Sequence, residues 1–347
     1  MDWVALIGST SVAFIILSLL VSVATFVMTL TANARGRRSA RNEAALIQTM
    51  SGYIGGVVDI DAALESLRTS ARGDVVVVLD KVAALVSGSA HDALTPILNH
   101  PDVKAILLSE LKRSHPQSQI LAARLLAEVP DPEVINALQK QLRTSNPLSR
   151  LAAALALVRL DAIDSVRDLI DTLNIDARAQ SYGLLILFRE LLTNRLAELV
   201  ELLHMDVPDF TKVLGIDALG HSGNYAALQS LMLFAENDSP MLRLHAVRAL
   251  KNLQHPGAEP SIVSALADTS ATVRAEAASC AGELQLPSTR PELVRLLEDP
   301  DWTVRFNAAQ ALVEIGIEGQ TELAARRNLD TPGGQIARQI LAEKKAA

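Results

Sequence analysis

Asp299-Pro300-Asp301-Trp302-Thr303-Val304-Arg305-Phe306-Asn307-Ala308-Ala309-Gln310-Ala311-Leu312 is the stretch that decides the fold. A polar turn opens it, and the run that follows carries Ala308, Leu312 and Ile315 at spacings of four and three, one face of a helix. Thirty-one residues earlier the same order recurs as Asp268, Val273-Arg274 and Ala277-Ala278. The same interval sets Pro101-Asp102-Val103 beside Pro132-Glu133-Val134, Leu111 beside Leu142, Ser114 beside Ser145, and Pro116 beside Pro147. One column reads Leu107, Leu138, Leu169, Val200, Leu231, Ile262 and Leu293, and every member is apolar. A second reads Ala122, Ala153, Leu184, Gly215, Ala246, Ala277 and Ala308, and a third Leu126, Leu157, Phe188, Leu219, Leu250, Ala281 and Leu312. No insertion or deletion interrupts the frame over residues 101–317, which holds seven units.

Each unit contains two helical patterns, the first with pairs such as Leu107/Leu111 and Leu293/Leu297. Turn signals part them: Asn146-Pro147, Asp206-Val207-Pro208 and Asp238-Ser239-Pro240. Proline suits the first turn of the second helix, and Asp or Asn before it can cap that helix. One such pair cannot bury its own apolar face, so pairs stack on one another. The expected fold is all-α, a right-handed α-solenoid of helix pairs with a 31-residue period.

These segments resemble the HEAT-repeat family, in particular the short bacterial units called HEAT-like or phycobilisome-lyase-like repeats. The resemblance implies a ladder between units, built from an Asp in the turn and an Arg early in the second helix. The Asp column reads Asp206, Asn237, Asp268 and Asp299, and the Arg column Lys212, Arg243, Arg274 and Arg305. Earlier units carry Arg113, Thr144 and Ile175 in the first column and Gln119, Arg150 and Ser181 in the second.

The frame fades at both ends. Past residue 317 it puts Asn328, Gln339 and Glu343 at core positions, so residues 318–347 are expected to form polar capping helices. Before residue 101 it puts Asp80 and His91 in core columns. Within residues 35–100, Leu46, Met50, Tyr53, Ile54 and Val57 form one helical stripe, which lies near a membrane or docks on the first unit. Residues 74–99 read as helical, although Val75 to Leu79 would also read as a short strand, and Gly55-Gly56 and Gly333-Gly334 read as turns or helix breaks.

From Trp3 to Ala34 there is no charged residue, a run of 32 where about 20 apolar residues span a bilayer. Arg35, Arg37, Arg38 and Arg41 follow it, which places the N-terminus outside and the rest in the cytoplasm. Residues 1–34 are therefore expected to be a single-pass inner-membrane anchor in contact with lipid through 3–34. A cleaved signal peptide is the competing reading, through Ala32-Asn33-Ala34, but the segment lacks a basic n-region. Ser11, Ser18, Ser22, Thr25 and Thr29 share one stripe, which either packs against a second membrane helix or bonds back to its own backbone.

Charge and composition narrow the function. The net charge is −7 and the aromatic content 3%, without the basic patch or stacking platforms that nucleic acid needs. The sequence has no phosphate loop, dinucleotide fingerprint or His-Glu-x-x-His motif, and no His pair at i, i+4. Cys280 sits in a column of small and apolar residues and reads as core. Asp59/Asp61 and Asp161/Asp164 read as caps and solvated faces. No catalytic residue, metal or cofactor is implied.

The functional signal is a surface on the second helices. Three rows point away from the core, and their candidate partner-binding residues are Leu121, Arg124, Leu155, Arg159, Ile186, Glu190, Asp217, His221, His245 and Arg248. The apolar members, Leu214 among them, either form an open groove or pack against neighbouring helices. The leading reading is a cytoplasmic scaffold tied to the membrane, holding a protein partner. It would be a subunit or regulator of a membrane complex such as a transporter or an envelope-polysaccharide glycosyltransferase. The alternatives are an enzyme resembling the phycobilin lyases and a nucleic-acid-binding HEAT-like protein, which the acidic balance opposes.

Overall fold

The computed structural model of the chain describes residues 40–113, 115–174 and 182–346. The expected membrane span, its Ser/Thr stripe, Arg35, Arg37 and Arg38, and Ser114, Ile175 and Ser181 lie outside the described residues. Among the described residues no helix is long and apolar enough to cross a membrane, and there is no strand. The helices divide into two compact bodies, with the boundary between Leu160 and Asp161.

The N-terminal body opens with α1 (40–54), whose Leu46 and Met50 are buried and whose Glu43 meets Lys81 at 2.6 Å. The stripe stops short of its expected end. Gly55 and Gly56 form a turn, Gly56 at φ +73, and Val57 beyond it is exposed. Helix α2 (Ile60–Thr69) is capped by Asp59, which accepts the Ala62 N–H at 2.8 Å. Helix α3 (Arg72–Leu85) contains Val75–Leu79, so that segment is helix, with Val75, Val76, Val78 and Leu79 buried. Its packing outweighs the weak helix propensity of valine. Two short helices follow, α4 (Ser89–Asp92) and α5 (Thr95–Leu98). The pairs α6 (Pro101–Leu111) with α7 (Pro116–Leu126), and α8 (Pro132–Gln141) with α9 (Pro147–Arg159), complete this body. All four start with proline at the first helical position, and Asp131 and Asn146 cap α8 and α9 through their side chains. Helices α2 and α3 pack on α6, and α3 on α7, so stacking starts one pair before the frame becomes readable. Asp80 and His91 are not core residues: they pair with Arg124 at 3.3 Å and Glu128 at 3.2 Å.

The C-terminal body runs α10 (Val166–Leu173), α11 (Tyr182–His204), α12 (Asp209–Gly220), α13 (Leu228–Phe234), α14 (Pro240–Leu253), α15 (Glu259–Ala265), α16 (Ala271–Glu283), α17 (Arg290–Leu296), α18 (Trp302–Glu314), α19 (Ile317–Arg326) and α20 (Pro332–Ala346). Short 3-10 turns at Tyr225–Ala227, Pro256–Ala258 and Pro287–Thr289 lead into α13, α15 and α17. The second helices α12, α14, α16 and α18 stack each on the next.

The second and third columns are buried at every described position. The first column departs once. Arg195 breaks the helical run of α11 at φ −131, ψ 30, so the second helix of one unit passes into the first helix of the next without a loop. The frame slips by one residue there: Leu199 and Leu203 are buried while Val200 is only half-buried. The Arg195 guanidinium holds the bend through Glu198 at 2.7 Å and Asp161 at 2.8 Å. Pro208 also departs from expectation, standing just before α12 rather than in its first turn.

The ladder exists in the last units. Arg243 forks onto Asp268 at 2.7 Å through both Nε and Nη2, and its Nη1 donates to the carbonyls of Asn237 and Asp238, each at 2.9 Å. Arg274 repeats this with Asp299 at 2.8 and 3.0 Å and with the carbonyls of Asp268 and Thr269. Arg305 keeps the carbonyl half, to Asp299 and Pro300. In the first unit Gln119 stands in for arginine and donates to the Arg113 carbonyl at 2.6 Å. Lys212 and Asn237 form no such rung.

The C-terminal cap is less polar than its sequence frame implies. Gln339 and Glu343 are exposed, while Leu323, Ile336, Ala337 and Ile340 are buried. The cap's last helix is three residues out of frame, with Ile336 and Ile340 in place of 339 and 343. Gly333 and Gly334 do not break a helix; they lie buried in the first turn of α20, where a Cβ on Gly334 would come within 2.9 Å of the Leu329 carbonyl carbon.

Candidate functional site

The second helices present their outer rows in both bodies. In the N-terminal body Leu121 and Leu155 are half-buried, and Arg124 and Arg159 are exposed. Ala152, 31 residues after Leu121 in the same row, is buried. Arg124 reaches back to Asp80, whose carboxyl is raised above its ordinary value because burial outweighs the arginine charge.

The rows of the C-terminal body are cross-linked. Ile186, Glu190, Asp217, His245 and Arg248 are half-buried and His221 is exposed. Asp217 Oδ1 lies 2.9 Å from His245 Nδ1 on the next second helix. The Asp217 carbonyl meets His221 Nδ1 at 2.8 Å, and His221 Nε2 meets Asn252 Nδ2 at 3.3 Å. Arg248 forks onto Glu276 at 3.1 and 2.7 Å, and Lys251 donates to Glu283 at 3.0 Å. The Glu276 hydrogen bond raises the Arg248 pKa against the effect of burial. At the end of the row the Glu314 carboxyl is raised, by burial first and then by the Glu283 charge.

Two of these contacts share an offset: a residue on one second helix meets the residue 28 positions later on the next, whereas His221/Asn252 and Lys251/Glu283 lie 31 and 32 apart. Asp217/His245 and Arg248/Glu276 obey it, and Ile186/Leu214 is its apolar counterpart in sequence. The complementary charges at that offset were readable, but an interval of 31 hides them. Side chains along this row are held by their neighbours, and no group of three or more His, Cys, Asp or Glu in metal-holding reach occurs among the described residues. Cys280 is buried, its thiol pushed up to about 12 chiefly by burial, which makes it core rather than nucleophile.

A family model described as HEAT repeats matches residues 105–180 and 259–343. No curated protein matches the chain. Among solved structures, human deoxyhypusine hydroxylase in complex with glycerol is similar at 20% identity, covering 81% of this chain and 98% of that one, with TM-score 0.31. Kap121p bound to Pho4p matches at 12% identity, covering 80% of this chain and 38% of that one, with TM-score 0.46. UNC-45 from Drosophila melanogaster matches at 14% identity over 86% and 47%, with TM-score 0.34. At these scores none of the three likenesses bears on function.

Proposed function

We propose that the chain is a membrane-anchored scaffold that holds a protein partner on the face of its second helices, as a subunit or regulator of an inner-membrane complex. The observation that carries this reading is the repeated, cross-linked row from Asp217 to Glu283, since stacked helical repeats use such rows as extended binding surfaces. The uncharged run from Trp3 to Ala34 and the arginines after it support an anchor with the repeats on the cytoplasmic side. Tethering concentrates a scaffold near any membrane-associated partner. A transporter or an envelope-polysaccharide glycosyltransferase is the kind of client that fits.

The test is a gentle-detergent pull-down of the full chain beside a chain lacking residues 1–34, with mass spectrometry of the recovered proteins. A membrane protein is expected with the full chain, and its recovery should fall in an Arg248→Ala variant. Equal recovery by the shortened chain refutes a role for the span. No reproducible partner from either refutes the scaffold.

A further inference from the structure

Two buried polar side chains stand in a column that turns apolar only from the fourth unit on, Thr172 in the third being polar and exposed. Glu110 and Gln141 lead a series that continues as Thr172, Leu203, Phe234, Ala265 and Leu296. Glu110 is fully buried and Gln141 is 7% exposed. Each keeps one polar atom without a partner, Oε2 of Glu110 and Nε2 of Gln141. An unpaired buried donor or acceptor lowers stability, and leucine, the occupant at 296, has neither. Local structure does not use these atoms: Arg113 satisfies only Oε1 of Glu110, at 2.8 Å.

Each side chain lines a groove. Glu110 lines one of about 390 Å³ between the start of α3 and α6, with Arg72 and Arg113 beside it. Gln141 lines one of about 500 Å³ between α6 and α8, where Leu108, Leu111 and Ala137 provide apolar wall and Lys112 and Lys140 stand alongside. All four cationic side chains are exposed, and neither lysine has an ion pair among the described residues. Glu133 also lines the second groove, but it is eight residues from Gln141 along α8, roughly 12 Å.

We propose that the two grooves form one docking surface for an extended, acidic segment of a partner protein. Packed helices lie about 8–10 Å apart, which three residues of extended chain span. An extended backbone offers a donor and an acceptor at every residue. Both atoms are covered in this structure, so each side chain must turn toward its groove before a carbonyl of the segment accepts from Gln141 Nε2 and one of its N–H groups donates to Glu110 Oε2. Its Asp and Glu side chains meet Lys112, Lys140, Arg72 and Arg113. This surface lies on the first helices and does not depend on the second-helix row.

The full chain in mild detergent is panned against displayed random peptides of roughly twelve residues, long enough for both grooves at the extended rise. Enriched peptides are then titrated by fluorescence anisotropy. Acidic peptides are expected, with affinity falling about tenfold or more in Gln141→Leu and in Lys112→Glu/Lys140→Glu. Gln141→Leu should melt no lower than the parent chain, whereas a purely structural glutamine would lower it. Arg248→Ala should leave peptide binding unchanged, which separates this surface from the second-helix face. Enrichment of basic or apolar peptides, no enrichment, or acidic peptides indifferent to the lysine reversal overturns the proposal. If Gln141→Leu melts lower, the glutamine is structural and its pairing with the peptide is refuted.

Discussion

Arg243 and Arg274 each tie two things together: their own turn, through two carbonyls, and the aspartate of the next unit. Both ends of each ion pair are largely buried, so the fork acts in a medium less screened than water. Replacing Arg274 with Ala strands Asp299 and two carbonyls and should cost about 2–4 kcal/mol, read from urea unfolding. Arg274→Lys should restore only part, because an ammonium cannot fork. Burial alone would raise Asp268 and Asp299, but the arginine bonds and the backbone N–H groups of Ser270 and Asp301 bring both below the ordinary carboxylate value. A folded pKa below the unfolded one gives stability that is complete above about pH 4 and fades as pH falls through the folded value. Melting temperature should therefore drop steeply on acidification below that point, and an Asp268→Asn/Asp299→Asn chain should show a flatter acid limb.

Helices approach one another most closely where the frame supplies small residues. Gly220 and Gly282 share a column two units apart, and a Cβ on either would lie 2.6 Å or 2.7 Å from the Cα of Ala249 or Ala311 on the neighbouring helix. Backbone cannot yield as a side-chain tip can, so Gly220→Ala and Gly282→Ala should each destabilise by about 1–3 kcal/mol in thermal melts, although alanine is the better helix former. Helix pairing, the apolar columns and the two strongest ladder rungs were legible in the sequence because each depends on residue type at a fixed interval. The bend at Arg195 was not legible: its signature is a one-residue slip that Leu199 and Leu203 absorb without any change of composition. Helix at Val75–Leu79 was legible, but the pairing of α2 with α3 was hidden, because the frame puts Asp80 and His91 in core columns that they do not occupy. The outer rows were found as lists of positions, but their diagonal pairing needs the stagger between helices, which sequence spacing does not carry.

In the C-terminal body, stacking continues to its last pair. Helix α18 packs on both α19 and α20, and the core of that pair is Leu323, Ile336, Ala337 and Ile340. A chain ending at Gly316 would lose that cover, so it should melt lower than the full chain and scatter light increasingly with concentration. The junctions between repeats are not equivalent, and the difference bears on how such a chain grows by duplication. A copied unit placed between Asp268 and Asp299 would bring its own arginine and aspartate in register and extend the chain of forks. A copy placed at Arg195 would find no loop to receive it, because one helix runs straight into the next. Gain or loss of repeats in descendants of this chain should therefore fall on the Asp268–Arg305 side and spare the Arg195 junction.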